Sequence, residues 1–123
     1  MNGSSLFIDT NIILYLLGGD KELADLLDQK KFHISFINEI ELLGYPSITA
    51  KQQLHISNFL SECRITDINQ DIKDEAIQIR KEYKLKLPDC IVLASARFLD
   101  LPFLTADSDF RKVDDPNVFV FKF

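Results

Sequence analysis

Four acidic residues stand where a folded chain could gather them. Leu6-Phe7-Ile8 is a short apolar run of the length of a buried strand, and it stops on Asp9. Phe103-Leu104-Thr105 leads in the same way to Asp107, with Asp109 two residues on. Ile34-Ser35 runs into a segment that carries Glu41, and Asp89 opens an apolar helical stretch. Parallel strands share one carboxyl edge, and open α/β sheets place ligands outside that edge. Converging carboxylates repel, so some stay protonated at neutral pH unless a cation sits among them. The natural partner is a hard divalent cation such as Mg²⁺, which binds through one or two carboxylates, keeps waters and accepts substrate phosphates. Such an ion lowers the pKa of a bound water and steadies the charge developing on a phosphodiester.

Taken singly, the acids have ordinary structural readings. Asp9 is a good helix N-cap. Asp89 in a first helical turn gains about 0.3–1 kcal/mol from the helix dipole. Asp107 followed by Ser108-Asp109 suits a turn. Glu41 is harder to set aside, because it lies among Ile40, Leu42 and Leu43, where a buried carboxylate is costly; Glu39 is read as facing solvent. His33 belongs to a strand and His55 to the middle of a helix, and neither is expected as a general base.

The elements that must hold these acids follow from punctuation and period. Asp9, Thr10 or Asn11 can cap a helix through Ile12-Ile13-Leu14-Tyr15-Leu16-Leu17, which Gly18-Gly19-Asp20 breaks. Asp20 restarts a helix with Leu23, Leu26 and Leu27 on one face, closed by Lys30-Lys31. A strand is expected over 32–36, then a helical register through Ile37, Ile40 and Leu43 to Gly44-Tyr45-Pro46. Ser47-Ile48-Thr49 opens a helix with Leu54, Ile56, Phe59 and Leu60 as its apolar side, and 64–68 alternates as a strand. Residues 71–83 are helical, 84–87 a basic loop, and Pro88 begins a helix over 90–99 at a position where its missing N–H costs little. Short strands over 102–105 and 118–121 complete the chain. This alternation predicts a three-layer α/β/α fold around a central, mostly parallel sheet, in a single domain over 1–123.

Composition bounds the function. Hydrophobic residues make up 46% and charged ones 27%, so a real core can form, and ten Phe with no Trp suggest aromatic and aliphatic packing. A net charge of −5 argues against nucleic-acid binding driven by bulk charge, while leaving room for a local basic rim. Cys63 and Cys90 lack metal-site spacing and are expected as buried free thiols in a reducing compartment. The N-terminus lacks the basic leader and cleavage site of a signal peptide. No apolar stretch approaches the ~18 residues of a membrane span, so the chain is expected to be cytoplasmic.

The ordered set of motifs resembles PIN-domain ribonucleases, especially the toxin half of VapBC-type toxin–antitoxin pairs. Phe7-Ile8-Asp9-Thr10-Asn11 is similar to the family's first acidic motif. Ile34-Ser35, with Glu41-Leu42 and then Gly44-Tyr45-Pro46, is similar to the second. Leu85-Lys86-Leu87-Pro88-Asp89 running into Ile91, Ala94 and Ala96 resembles the third, and residues 101–110 resemble the fourth. The likeness spans nearly the whole length.

The resemblance implies an endoribonuclease in which Asp9, Glu41, Asp89 and Asp107 hold one or two Mg²⁺ or Mn²⁺ ions. Asp109 is an alternative or additional ligand, and a metal-bound water would attack an RNA phosphodiester. Asn11 and Thr105 would support the ligands by hydrogen bonds; Ser35 matches the motif and equally suits a strand-end cap. Lys84, Lys86, Arg111 and Lys112 are candidate RNA contacts, each also readable as part of a solvated face, the reading preferred for Arg97. The resemblance further implies a homodimer and a cognate antitoxin that inserts an Arg or Lys into the acidic site. Tyr15 and Tyr45 could line a partner groove, although core is their commoner place. Two other readings compete: a PIN module that binds a partner without cutting, and a phospho-acceptor signalling domain. The latter calls for an acid pair before the first strand-end Asp, where Ser4-Ser5 stands instead, and leaves Glu41 without a role.

Overall fold

The computed structural model describes residues 4–122. The ends of the expected 1–123 domain, residues 1–3 and 123, lie outside the described residues, as does the start of the N-terminus read for a signal peptide. Strands β1 (Ser5–Ile8), β2 (Lys31–Ser35), β3 (Arg64–Thr66), β4 (Phe103–Thr105) and β5 (Val118–Val120) form one sheet in the order β3-β2-β1-β4-β5. Every pairing is parallel, so the expected mostly parallel sheet is wholly so among the described residues.

Helices α1 (Thr10–Leu17) and α2 (Lys21–Leu26) follow β1; α3 (Phe36–Leu43) and α4 (Ala50–Leu60) follow β2. Helices α5 (Gln70–Glu82) and α6 (Leu87–Phe98) link β3 to β4, and a 3-10 turn, Ser108–Lys112, precedes β5. Successive strand residues point to opposite faces of a sheet. Phe7 and Phe103 accordingly enter one core with Ile72, Ile79, Cys90 and Leu93 of α5 and α6. Their neighbours Ile8 and Leu104 enter a second core with Ile12, Ile13, Leu23, Ile56 and Leu60 from α1, α2 and α4. The three-layer α/β/α arrangement is thus written into adjacent residue pairs of the two central strands. Phe103 packs edge-on to Phe110 with ring centroids 5.1 Å apart, in keeping with the aromatic packing expected from composition.

Several boundaries move for local reasons. Ser35 ends β2 and caps α3, so Phe36 is the first helical residue and not the last of a strand. Lys31 does not close α2, which ends at Leu26; it starts β2. Residue 67 turns the chain out of β3, its carboxylate accepting from the Ile68 N–H. Helix α6 starts at Leu87, with Pro88 in its first turn. Leu54, read as part of the apolar side of α4, is 63% exposed, and Cys63 is only half-buried while Cys90 is fully buried. Tyr15 and Tyr45 are both exposed, which removes the core reading for them.

Candidate active site

The carboxyl ends of β1, β2 and β4 meet at one edge, and the acids are set there by helix starts. Asp9 follows β1 and caps α1, its carboxylate accepting from the Thr10 N–H at 2.9 Å. The N-cap and the candidate acid are therefore the same residue. Asp9 is nearly fully buried, and both its oxygens are engaged. Oδ1 also accepts from Asn38 Nδ2 at 3.2 Å, and Oδ2 accepts from the Thr105 hydroxyl at 2.7 Å. Thr105 Oγ1 in turn accepts from the Asp107 N–H at 3.0 Å, which fixes the backbone of the next acid.

Asp107 caps the 3-10 turn, accepting from the Asp109 N–H at 2.9 Å. The charge of Asp107 is felt at both Asp9 and Asp89. Asp109 contributes its backbone N–H to the cap, and Asp107 is the better-placed of the two candidates for a fourth acid. Asn11 Oδ1 accepts from the Ala106 N–H at 3.1 Å and so steadies the segment leading to Asp107. Ser35 closes a capping box with Asn38 and supports the site through the start of α3.

Glu41 corrects the argument that brought it forward. It is exposed on α3, with Leu42 the residue that turns inward, so burial is not what marks it. What marks it is the hydrogen bond that it accepts at Oε1 from the Thr10 hydroxyl, 2.7 Å. Thr10 and Asn38 are two site residues that sequence reasoning missed. The Ser35-x-x-Asn38 spacing of a capping box was the available signal for Asn38.

The electrostatics show how closely these groups gather. Burial pushes the Asp9 carboxyl above its ordinary value, opposed by the Thr105 and Thr10 donors and reinforced by the charges of Glu41 and Asp107. Asp89, in the first turn of α6, is pushed up to about 6, first by burial and then by Asp9, Asp107 and Glu41, with Lys86 pulling the other way. Among the described residues the ion pairs seen, Arg97 with Glu75 and with Asp115, lie away from these acids. Arg97 is thus a structural ion-pair residue and not part of a solvated face.

An all-oxygen acidic donor set is the kind that a hard divalent cation takes. As placed, no three His, Cys, Asp or Glu side chains among the described residues form a ready cage around one point. A cation that binds through one or two carboxylates and fills its shell with water needs no such cage. The residues fit a divalent ion as an open acidic basin.

Around the basin, Lys86 stands at the N-terminal boundary of α6 without a side-chain capping bond, and Lys112 Nζ donates to the Lys84 carbonyl at 3.0 Å, bracing the loop before Asp89. Arg111 borders a shallow hollow with Asn11, Tyr15 and Ala106. A separate groove of about 410 Å³ starts at Thr10 and Glu41 and runs between α1, α3 and α4 past Leu14, Tyr45 and His55. Tyr45 therefore lies in a groove beside the acids, and Tyr15 in the other hollow. His33 is held below its ordinary value by burial and Arg64, as suits a strand residue.

Comparison with known proteins agrees with this geometry. Residues 6–116 match the model of the PIN domain. The chain is 26% identical over 137 aligned residues to Ribonuclease VapC2 of Methanocaldococcus jannaschii, covering 93% of this chain and 92% of that one. It superposes on a chain of a toxin-antitoxin complex from Klebsiella pneumoniae with a TM-score of 0.80 and 36% identity, covering 95% and 97% of the two chains. VapBC2 from Rickettsia felis, solved bound to a DNA fragment from its promoter, shares the fold with a TM-score of 0.79 at 18% identity, covering 95% and 97%. The family resemblance read from the four acidic motifs is borne out: the chain belongs to the PIN domain family.

Proposed function

We propose that this protein is a VapC-type endoribonuclease, the toxin of a toxin–antitoxin pair, dependent on Mg²⁺ or Mn²⁺. The observation that carries the reading is the gathering of acids at one sheet edge: the Thr105 hydroxyl holds Asp9 and accepts from the Asp107 N–H, Thr10 joins Asp9 to Glu41, and Asp89 lies close enough to feel the charges of the other three. Asp9, Glu41, Asp89 and Asp107 would hold the metal, which when bound supplies an activated water and screens charge on the scissile phosphate. The chain's own work is to keep these carboxylates oriented: Thr105 and Asn38 hold Asp9, Thr10 holds Glu41, and Ser35 and Asn11 fix the backbones beside them. Lys84, Lys86 and Arg111 would meet RNA phosphates at the rim, while Lys112 shapes the loop that carries two of them.

The toxin–antitoxin relatives support a cognate antitoxin as partner. A basic side chain entering the acidic basin would replace the metal's charge and silence it. We further propose a single domain spanning the chain, a homodimer and a cytoplasmic location; among the described residues no helix is long and apolar enough to cross a membrane. The test is cleavage of a total-RNA and tRNA pool by purified protein in Mg²⁺, in Mn²⁺ and in EDTA, beside Asp89→Asn. Cleavage should need metal and fall by more than about 100-fold in the variant. Cutting that survives both EDTA and Asp89→Asn would overturn the proposal.

A further inference from the structure

Asn38 is fully buried, and a helix cap accounts for only half of its side chain. Its Oδ1 accepts from the Ser35 N–H at 2.9 Å, the bond that completes the capping box. That bond fixes the orientation of the amide, so its donor end must face the acids. Nδ2 donates to Asp9 Oδ1 at 3.2 Å and to Thr10 Oγ1 at 2.9 Å. A hydroxyl has one proton to give, and Thr10, already accepting from Asn38, gives its proton to Glu41 Oε1 at 2.7 Å. The direction of every bond in this chain follows from the amide. An aspartate at 38 could accept from Ser35 as well, but it would add a further negative charge and offer no donor.

We infer that Asn38 and Thr10 are a positioning relay, in which a buried amide sets the direction of the Thr10 hydroxyl and so holds the Asp9 and Glu41 carboxylates together for a divalent cation. The inference rests on the acidic-site reading above. Its physical basis is the contrast between the two acids. Asp9 is buried and held by several donors, whereas Glu41 is exposed and Thr10 is the partner of its carboxylate among the described residues. An exposed glutamate has many rotamers to lose when it binds. The relay removes that freedom beforehand and does so with neutral donors, which orient a carboxylate without cancelling the charge that attracts the ion. Thr10 also ties the relay to the helix that Asp9 caps, since its own N–H donates to Asp9 Oδ1 at 2.9 Å.

The experiment is calorimetric titration of Mn²⁺ into wild type, Thr10→Val, Thr10→Ser, Asn38→Ala and the double variant Thr10→Val/Asn38→Ala, with thermal melts in EDTA. Thr10→Val keeps the volume and the backbone bond but removes the hydroxyl. It should weaken Mn²⁺ binding about 10–100-fold and lower the metal-free melt less than Asn38→Ala does, since one donor of the Asn38 amide loses its acceptor. Thr10→Ser should restore affinity to within about threefold. Asn38→Ala should show the same loss of affinity together with a lower melting temperature from the broken cap. Because both residues act through one chain of bonds, the double variant should bind no more than about threefold more weakly than the poorer single. Wild-type affinity in Thr10→Val, equal impairment in the Val and Ser variants, or multiplying losses would each overturn the relay. Asp89→Asn separates the two levels of the argument. If wild type takes up no Mn²⁺, or Asp89→Asn takes it up as well as wild type, the acidic-site reading fails and the relay falls with it.

Discussion

Asp89 shows how a single side chain records its surroundings. In the unfolded chain it titrates near 3.8, and in the fold it keeps its proton up to about 6. Folding therefore takes up protons in that window, and the stability contributed is fully present below the unfolded value and lost as pH rises through the folded one. Asp9 acts in the same direction. These two acids should thus make the metal-free protein less stable as pH climbs from 4 to 7, against the opposite and smaller trend of His33. Asp89→Asn, which removes one repelling charge, should melt above wild type at pH 7 and converge with it at pH 4. Adding Mg²⁺ at pH 7 should raise wild type more than the variant, because a ligand of the folded state stabilises in proportion to its binding. Melts in EDTA across that pH range, repeated with Mg²⁺, decide this; a gap between wild type and Asp89→Asn that does not widen from pH 4 to pH 7 would mean that the Asp89 charge carries no such penalty. At this scale Asp9, Asp89 and Asp107 were legible, since each ends or starts an apolar run, whereas Glu41 lies within one. The bonds by which Thr10 and Asn38 act on the acids were not legible, because their partners lie 28 to 31 residues away, although the cap spacing marked Asn38. No local pattern marks such a bond.

Helix starts are the devices that aim these side chains. Asp9, Ser35 and Asp107 each cap the element that follows a strand, while Asn69 caps α5 away from the acids. Ser35→Ala and Asn69→Ala should each cost about 1 kcal/mol in stability. Only Ser35→Ala should also reduce RNA cleavage, because α3 carries both Asn38 and Glu41. Urea unfolding paired with a cleavage assay measures both, and equal activities in the two variants would remove the link between the α3 cap and the site. The caps were readable because Ser, Thr, Asp and Asn before a helix act on neighbours in sequence. The phase of α3 was not. With eight residues it makes little more than two turns. So short a run of Ile, Glu, Leu and Leu leaves open which side faces inward. Glu41 was reached by its place in the second motif and by a burial argument that its exposure contradicts; the bond to Thr10 replaces that argument.

Across the molecule, the sheet divides the apolar interior into two cores that share the central strands. Ile13 belongs to one and Ile79 to the other, and both are fully buried. Replacing either by Ala should cost about 2–5 kcal/mol. Lying on opposite faces, they should add to within about 0.5 kcal/mol. If the chain is one cooperative unit, the circular dichroism and tyrosine fluorescence transitions of wild type and both variants should coincide in urea. Separate transitions for the two probes would argue for two independently melting layers. The layered architecture was legible because alternation in β1 and β4 is a two-residue pattern, whereas the neighbour relations of the sheet are not printed in the order of the chain. β1 lies between β2 and β4, so the strand made first is completed by one made much later. The bond between Asp9 and Thr105 spans 96 residues. A ribosome producing this chain emits Asp9 early and must add those residues before β4 can slot in beside β1. A chain made only as far as α4 carries two of the acids, Asp9 and Glu41, but not the strand that holds Asp9 and leads to Asp107, so the acidic edge is assembled only once β4 has been made.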